Sequence, residues 1–268
     1  MRRTIIHLDE TDSTNNYLRL YQATQKESAT QEESMTQGES MTLEESQQQM
    51  VVALAQYQTH GRGQGTNHWE SERGKNLLFS ILTHPAGIPA ERQFVLSMAG
   101  ALALHDALRT YTEGISLKWP NDVYWHDSKI SGTLIETTLK GRQIKNCIFG
   151  TGVNINQEVF YSDAPNPVSL RQITGHEVDK EEVLESILQH FEHYYLMATK
   201  GEYDAIATLY HQCLYRREGL WPFKDKAELF KATIIGIDHL GRLILKDDEG
   251  KTRTYGFKEV SFCIGDDI

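Results

Sequence analysis

Cysteine is scarce in this chain. Of 268 residues only Cys147, Cys213 and Cys263 are cysteine, odd in number and far apart, and no C-x-x-C pair occurs. That pattern excludes a disulfide framework and a cysteine zinc site, and it makes a reducing cytoplasm the expected compartment. No run approaches the roughly 18 apolar residues of a membrane span, so no membrane association is expected. The start, MRRTIIHLDET, has an apolar run only from residue 4 to residue 8, too short for a secretory signal. Basic residues are in the minority. The 27 Lys and Arg against 37 Asp and Glu give a net charge of −10, the wrong sign for a general nucleic-acid binder, so no nucleic-acid partner is expected. Several catalytic signatures are missing too. The chain has no G-x-x-x-x-G-K-[ST] phosphate loop, no H-E-x-x-H, no G-x-S-x-G elbow and no S-x-x-K pair, which removes the chemistries those spacings serve. Its 11 histidines are scattered, and none is assigned to a metal.

What remains is an ordinary globular composition, 39% hydrophobic and 24% charged, long enough for one large domain or two unequal ones. One tract departs from it. Residues 22–49 are Gln, Glu, Ser or Thr at 21 of 28 positions and fall into hexads (QATQKE, SATQEE, SMTQGE, SMTLEE). A stacked solenoid needs apolar rungs that this repeat lacks, so the tract reads as a mobile, low-complexity surface insertion. Six Glu and one Lys give it −5, half the net charge. Elsewhere the pattern is mixed α and β. Strands are expected at 5–8, 51–57 and 76–83. A short helix capped by Asp12, Ser13, Thr14 or Asn15 is expected to end near Tyr21. Apolar residues at helical spacing from 89 to 111, His105 among them, predict a buried-face helix begun by Pro89. Three strands of an antiparallel meander follow at 123–125, 130–137 and 143–150, then helices at 180–199 and 202–215. Beyond Trp221-Pro222 short strands and tight turns have small β-barrel character, with a boundary expected near residue 222.

Four stretches have the composition of ligand-contacting loops. Gln58-Thr59-His60-Gly61-Arg62-Gly63-Gln64-Gly65 follows a strand and leads to Trp69. Its glycines let a backbone approach a ligand and present N–H groups to an anion, and Arg62 adds a fixed cationic fork. The same glycines would serve a plain hairpin. Lys118-Trp119-Pro120-Asn121-Asp122 sets a cation, an amide and a carboxylate beside one another, a set that suits a nucleotide and also suits an ordinary capped turn. Asp127-Ser128-Lys129-Ile130-Ser131-Gly132 opens a strand with a lysine and then removes a side chain at Gly132. Gly150-Thr151-Gly152-Val153-Asn154-Ile155-Asn156 ends the meander with small residues and two amides.

Together, DSTN (12–15), QTHGRGQ (58–64), KWPND (118–122), DSKISG (127–132) and GTGVNIN (150–156) resemble the biotin protein ligase family in order and spacing, over nearly the whole chain outside 22–49. The resemblance implies an α+β fold: a mixed-sheet catalytic domain of the biotin/lipoate ligase type over 1–221 and a small SH3-like β-barrel over 222–268. It implies two steps, in which biotin and Mg-ATP form biotinyl-5′-adenylate and pyrophosphate, and the adenylate then acylates a lysine of a carboxylase's biotin carboxyl carrier domain. The biotin contacts it implies fall on Ser13, Thr14, Asn15, Gln58, Gly61, Arg62, Gly63, Gln64 and Lys129, with Gly132 beside the ligand. The ATP contacts fall on Arg62, Trp69, Lys118, Asn121, Asp122, Val153 and Asn154. Lys129 and Arg62 are the expected catalytic pair, and Mg²⁺ is expected to arrive with ATP and not on a protein site. In this family the glycine loop continues with basic residues and a glycine before the tryptophan. Here Gln64-Gly65-Thr66-Asn67-His68-Trp69 departs from that, which implies looser retention of the adenylate. The chain starts at the catalytic strand, so a ligase is expected and not a repressor, as a monomer or a weak homodimer. A lipoate or octanoate ligase or transferase on the same scaffold, and a non-catalytic biotin-binding regulator, are the competing readings.

Overall fold

The computed structural model describes residues 1–33, 48–161 and 166–264. In chain order it contains β1 (Arg2–Thr11), α1 (Thr14–Glu33), β2 (Gln49–Gln58), β3 (Leu77–Thr83), α2 (Phe94–Leu108), β4 (Ile115–Lys118), β5 (Asp122–Trp125), β6 (Ser128–Lys140) and β7 (Gln143–Val153). Then come α3 (Leu170–Thr174), α4 (Lys180–Thr199), α5 (Tyr203–Gln212), β8 (Trp221–Asp225), β9 (Leu229–Ile237), β10 (Leu243–Asp247), β11 (Thr252–Tyr255) and β12 (Val260–Phe262). The chain forms two compact units, Met1–Ala90 with Ile130–Leu184, and Glu91–Lys129 with Glu185–Ile268.

The first unit is built on a mixed sheet in the order β1-β2-β3-β7-β6. β1 and β2 are parallel, and the remaining pairs are antiparallel. Every residue of β3 is buried, which is why LLFSILT is apolar at all positions but Ser80 and Thr83 and does not alternate. Helix α1 packs its Leu18 against Val51, Ala53, Leu82 and Ile148, flanked by Tyr17 and Tyr21. This spacing of three and four residues places one apolar stripe on the sheet. At its start Asp12 accepts from the Ser13 amide (2.7 Å) and from Asn16 Nδ2 (2.6 Å). The Asn16 hydrogen bond is the main reason that the Asp12 carboxyl lies below the usual carboxylate range.

Two helix boundaries differ from expectation. α1 does not stop near Tyr21 but continues to Glu33, so the low-complexity tract begins as helix. Its Gln, Ala, Lys and Glu are good helix formers, and the first glycine comes only at Gly38. The remainder of the expected insertion, 34–47, lies outside the described residues. Pro89 does not begin α2. It bridges to Gln143, a 3-10 turn follows at Ala90–Arg92, and the helix starts at Phe94. The β6–β7 hairpin closes at Lys140 opposite Gln143, and Gly141 there has φ of +63°, a left-handed conformation that suits glycine.

In the second unit α2 is buried almost all round, at 12 of its 15 residues, His105 among them. Phe94 meets the fully buried Tyr210 of α5 edge-on, ring centres 6.2 Å apart. β4 and β5 pair antiparallel; β4 was not anticipated. Five antiparallel strands in the order β11-β10-β9-β8-β12 stand where the small β-domain was expected, around a core that includes Phe223, Phe230 and Phe262. Gly241 (φ +85°) and Gly250 (φ +87°) take left-handed conformations in two of its tight turns. Among the described residues no helix is long and apolar enough to cross a membrane.

Candidate active site

In the first unit, the start of α1 and the end of β2 bring the DSTN and QTHGRG stretches together. Ser13, Thr14 and Asn15 are all buried. Gln58 Oε1 accepts from the Thr14 amide (2.7 Å) and from Thr14 Oγ1 (3.0 Å). Ser80 Oγ, on β3, lies 2.7 Å from Thr14 Oγ1 and 2.6 Å from Asn15 Oδ1. Asn15 Nδ2 donates to Glu136 Oε2 at 2.8 Å. Glu136, on β6, then holds Arg62, with Nη2 at 3.0 Å from Oε1 and Nη1 at 3.3 Å from Oε2. A continuous polar chain thus runs Gln58–Thr14–Ser80–Asn15–Glu136–Arg62, every link a hydrogen bond between named atoms. Such a chain fixes the rotamers of its members, which a site for a small polar ligand requires.

The glycine stretch folds into a closed hairpin. Arg62 bridges to His68, the Trp69 amide donates to Gly61 O (2.9 Å), the Gly63 amide donates to Asn67 O (2.7 Å), and the Asn67 amide donates to Gln64 O (3.4 Å). The Gly63 amide is therefore engaged within the hairpin and is not turned to an anion in this conformation. Glycine is required at 61 because a Cβ there would lie 2.5 Å from Trp69 O. The hairpin lays Trp69 on the sheet. A Cβ on Gly152 would fall 2.2 Å from Trp69 Cε2, and Gly152 pairs with Gly132 across β6 and β7. Two facing glycines give the indole a bare patch of backbone. Val153 and Asn154 follow at the end of β7, both buried. Asn154 Nδ2 donates to Val168 O (3.2 Å), while its Oδ1 is buried without a partner, a state that invites a donor from a ligand.

The remaining expected residues, Lys118, Asn121, Asp122 and Lys129, lie in the second unit. KWPND is the turn of the β4–β5 hairpin, with Lys118 directly opposite Asp122 and Asn121 in the turn itself. Trp119 is buried and donates Nε1 to Gly241 O (2.9 Å), and Tyr210 Oη donates to Pro120 O (3.1 Å). These two bonds anchor the turn. Lys129 Nζ pairs with Asp122 Oδ1 at 2.8 Å. Lys118 Nζ donates to Tyr124 Oη (3.0 Å) and sits 4.7 Å over the Tyr124 ring. Burial holds the Lys118 ammonium below its usual range. Asp122 opposes that effect, and Lys129 and Arg216 reinforce it.

Sequence reasoning missed Ser80 and Glu136, the two links that join the motifs. Ser80 sits inside an apolar strand and Glu136 in a long alternating one, where a polar residue reads as a strand's solvent face. Only the pairing of β3, β6 and β7 reveals them. Among the described residues no group of three or more His, Cys, Asp or Glu is arranged to hold a metal ion.

The chain was compared with known proteins. Residues 27–154 match the model of the biotin/lipoate A/B protein ligase family. A biotin–[acetyl-CoA-carboxylase] ligase of Paracoccus denitrificans is 30% identical over 212 residues, 74% of this chain and 85% of that one. The bifunctional ligase/repressor BirA of Bacillus subtilis is 28% identical over 76% of this chain, and the match spans 64% of its length, under two thirds. Among solved structures, the biotin protein ligase of Aquifex aeolicus in complex with biotin and ATP superposes with a TM-score of 0.71 at 25% identity, over 96% of this chain and 97% of that one. The biotin acetyl coenzyme A carboxylase synthetase of Helicobacter pylori, at 20% identity and a TM-score of 0.55, shares the fold. The α+β architecture, the ordered motifs and the likeness to the Paracoccus enzyme over 85% of its length agree, and the chain belongs to the biotin protein ligase family.

Proposed function

We propose that this protein activates biotin with ATP to biotinyl-5′-adenylate and transfers the biotinyl group to a lysine of a biotin carboxyl carrier domain. The observation that carries the reading is the polar chain from Gln58 to Arg62, which unites two of the motifs on which the family resemblance rests. The Aquifex relative's complex with biotin and ATP supports the same two substrates here. The three cysteines are free thiols, which suits a reducing compartment such as the cytoplasm.

In the first step an oxygen of the biotin carboxylate attacks the α-phosphorus of ATP, and the bond to the β-phosphate breaks to release pyrophosphate. Both reactants are anionic. Two unit charges 4 Å apart repel by about 4 kcal/mol at an effective dielectric near 20. Cations held in place must offset this and bind the charge that develops. We assign that work to Arg62, Lys129 and Lys118, with Mg²⁺ entering as part of the Mg-ATP substrate. Asn15, Thr14, Ser13 and Gln58, with the Gly61–Gln64 backbone and Gly132, form the biotin pocket. Trp69, Asn121, Asp122, Val153 and Asn154 serve the nucleotide. Asn154 Oδ1, buried and without a hydrogen-bond partner, is the acceptor for a donor of the base or ribose. Arg62 reaches its role by exchanging Glu136 for a substrate anion. The 3.0 Å pair is partly exposed on both sides, so the exchange costs little. In the second step an unprotonated lysine amine attacks the acyl carbon, AMP leaves, and the amine proton passes to solvent.

The test is pyrophosphate release from Mg-ATP with biotin, lipoate or octanoate supplied separately and no acceptor protein. A burst with biotin alone is expected. A burst with lipoate or octanoate instead would transfer the chain to that substrate class. No burst with any acid, alongside biotin binding, would replace the ligase by a biotin-binding protein.

A further inference from the structure

The second unit contains a closed ring of contacts around an arginine that no expected site includes. Lys118 Nζ lies 3.0 Å from Tyr124 Oη and 5.4 Å from the centre of the Phe262 ring. The Tyr124 ring is 5.4 Å from that of Tyr215. The Arg216 guanidinium sits 5.0 Å over Tyr215 and 4.7 Å over Trp221. Arg216 Nη1 donates at 2.7 Å to the carbonyl of Cys263, the residue after Phe262, which closes the ring. Lys129 joins through Asp122, the residue opposite Lys118.

Three cations thus share one neighbourhood with two carboxylates, Asp122 and Asp127, and Asp127 is bound by Tyr215 Oη. Burial chiefly holds the Lys118 ammonium below its usual range; Asp122 opposes this, and Lys129 and Arg216 add to it. Like charges gathered in this way indicate a polyanion that offsets them. Three features of Arg216 agree. It is not a glycine, yet its φ is +57°, a left-handed strain kept where a site uses it. Its Nε is buried without a hydrogen-bond partner. Among the described residues it has no carboxylate within ion-pair distance, whereas Arg253 of the same unit is saturated by Asp225, Glu228 and Asp247. Arg253 is a structural arginine. Arg216 is a cation packed against two aromatic rings, and its Nε carries no hydrogen bond.

We propose that Arg216, with Lys118 and Lys129, binds the phosphate chain of ATP through the part that leaves as pyrophosphate. This rests on the ligase reading above for the identity of the polyanion. The planar guanidinium suits phosphate oxygens in pairs, and its packing on Tyr215 and Trp221 limits the entropy lost on binding.

The experiment is a calorimetric titration of inorganic pyrophosphate into the intact protein and into Arg216→Asn, a substitution that tolerates the left-handed backbone. The expected result is a loss of pyrophosphate affinity of tenfold or more and a similar rise in the KM for ATP. The affinity for biotin should be unchanged, and the thermal midpoint should fall by only a few degrees as the bond to Cys263 O is lost. As a second measurement on the unmodified chain, pyrophosphate should protect Arg216 from an arginine-specific dicarbonyl reagent, read by peptide mapping. Equal pyrophosphate affinity in both proteins, or labelling of Arg216 indifferent to pyrophosphate, overturns the assignment. Loss of affinity in the variant of a chain with no biotin-dependent pyrophosphate release would uphold the anion site while removing the ligase reading.

Discussion

Replacing Gly150 by alanine should damage the candidate biotin pocket through a single methyl group. The added Cβ would lie 1.9 Å from Asn15 Oδ1, 2.7 Å from Cγ and 3.0 Å from Nδ2. Contacts below 3.0 Å cannot persist, so either the buried Asn15 side chain leaves or β7 shifts. If Asn15 leaves, its contacts with Ser80 (2.6 Å) and Glu136 (2.8 Å) go with it. A neutral hydrogen bond contributes about 1 kcal/mol and one to a charged group about 1.5–3 kcal/mol. A strand shift costs about 1–3 kcal/mol. Either route gives a destabilisation of about 3 kcal/mol, some hundredfold in the unfolding equilibrium, together with weaker biotin binding. Urea unfolding should show a lower midpoint at unchanged slope. Asn15→Ala alone should also cost about 3 kcal/mol, since it loses the same two hydrogen bonds. The double variant should be no worse than Asn15→Ala within about 0.5 kcal/mol, because the obstacle is gone. Gly150→Ala within about 0.5 kcal/mol of the parent, or a double variant whose losses simply add, would refute the reasoning.

Other expectations follow from the same geometry. Lys129→Ala should reduce biotin-dependent pyrophosphate release by at least about a hundredfold, of the order that removing a transition-state charge partner costs, with the circular dichroism spectrum unchanged; turnover like the parent's would remove Lys129 from the chemistry. Glu136→Gln frees Arg62 from its ion pair and should raise the affinity for anionic substrate while loosening Asn15, seen as a lower KM for ATP and weaker biotin binding; no change in either would show that Arg62 is not shared. Gly152→Ala displaces the Trp69 indole, whose Cε2 would be 2.2 Å from the new Cβ, and should weaken ATP binding more than biotin binding by calorimetry. His105 is opposed by burial, but hydrogen bonds to Asp106 and Cys213 outweigh it and push its pKa up to about 9 from 6.5. Its contribution to stability is therefore complete below pH 6.5 and is lost as pH rises through about 9, a few kcal/mol in all. His105→Gln should flatten the stability profile between pH 6.5 and 9, and an equal slope in both proteins would contradict this.

Periodicity and turn residues carried most of the fold. The run at 76–83 identified a strand, and the texture beyond Trp221-Pro222 identified short strands with tight turns, because only short-range chemistry is needed there. The end of α1 was misread because a Gln- and Glu-rich tract is both low in complexity and high in helix propensity, and composition alone does not rank the two. Pro89 was misread because a proline that opens a helix and one that sits on a β-bridge have the same φ. β4 was missed because ISLK is too short to show a period. Within the candidate site, local strings revealed Asn15, Gln58 and Arg62, but the residues that join them lie on other strands. Glu136 is 74 positions from Arg62, and Ser80 is 65 from Asn15, so no local reading pairs them. Arg216 was hidden in a charged stretch, YRRE, whose meaning depends on its packing against Tyr215 and Trp221 and its bond to the distant Cys263 carbonyl.

The central claim is transfer of biotin to protein. Its most direct measurement is the intact mass of an isolated biotin carboxyl carrier domain after incubation with this chain, biotin and Mg-ATP, beside a carrier in which the acceptor lysine is arginine. The account predicts one biotinyl group on the lysine-bearing carrier and none on the control. An unmodified carrier, or equal labelling of both, would contradict it.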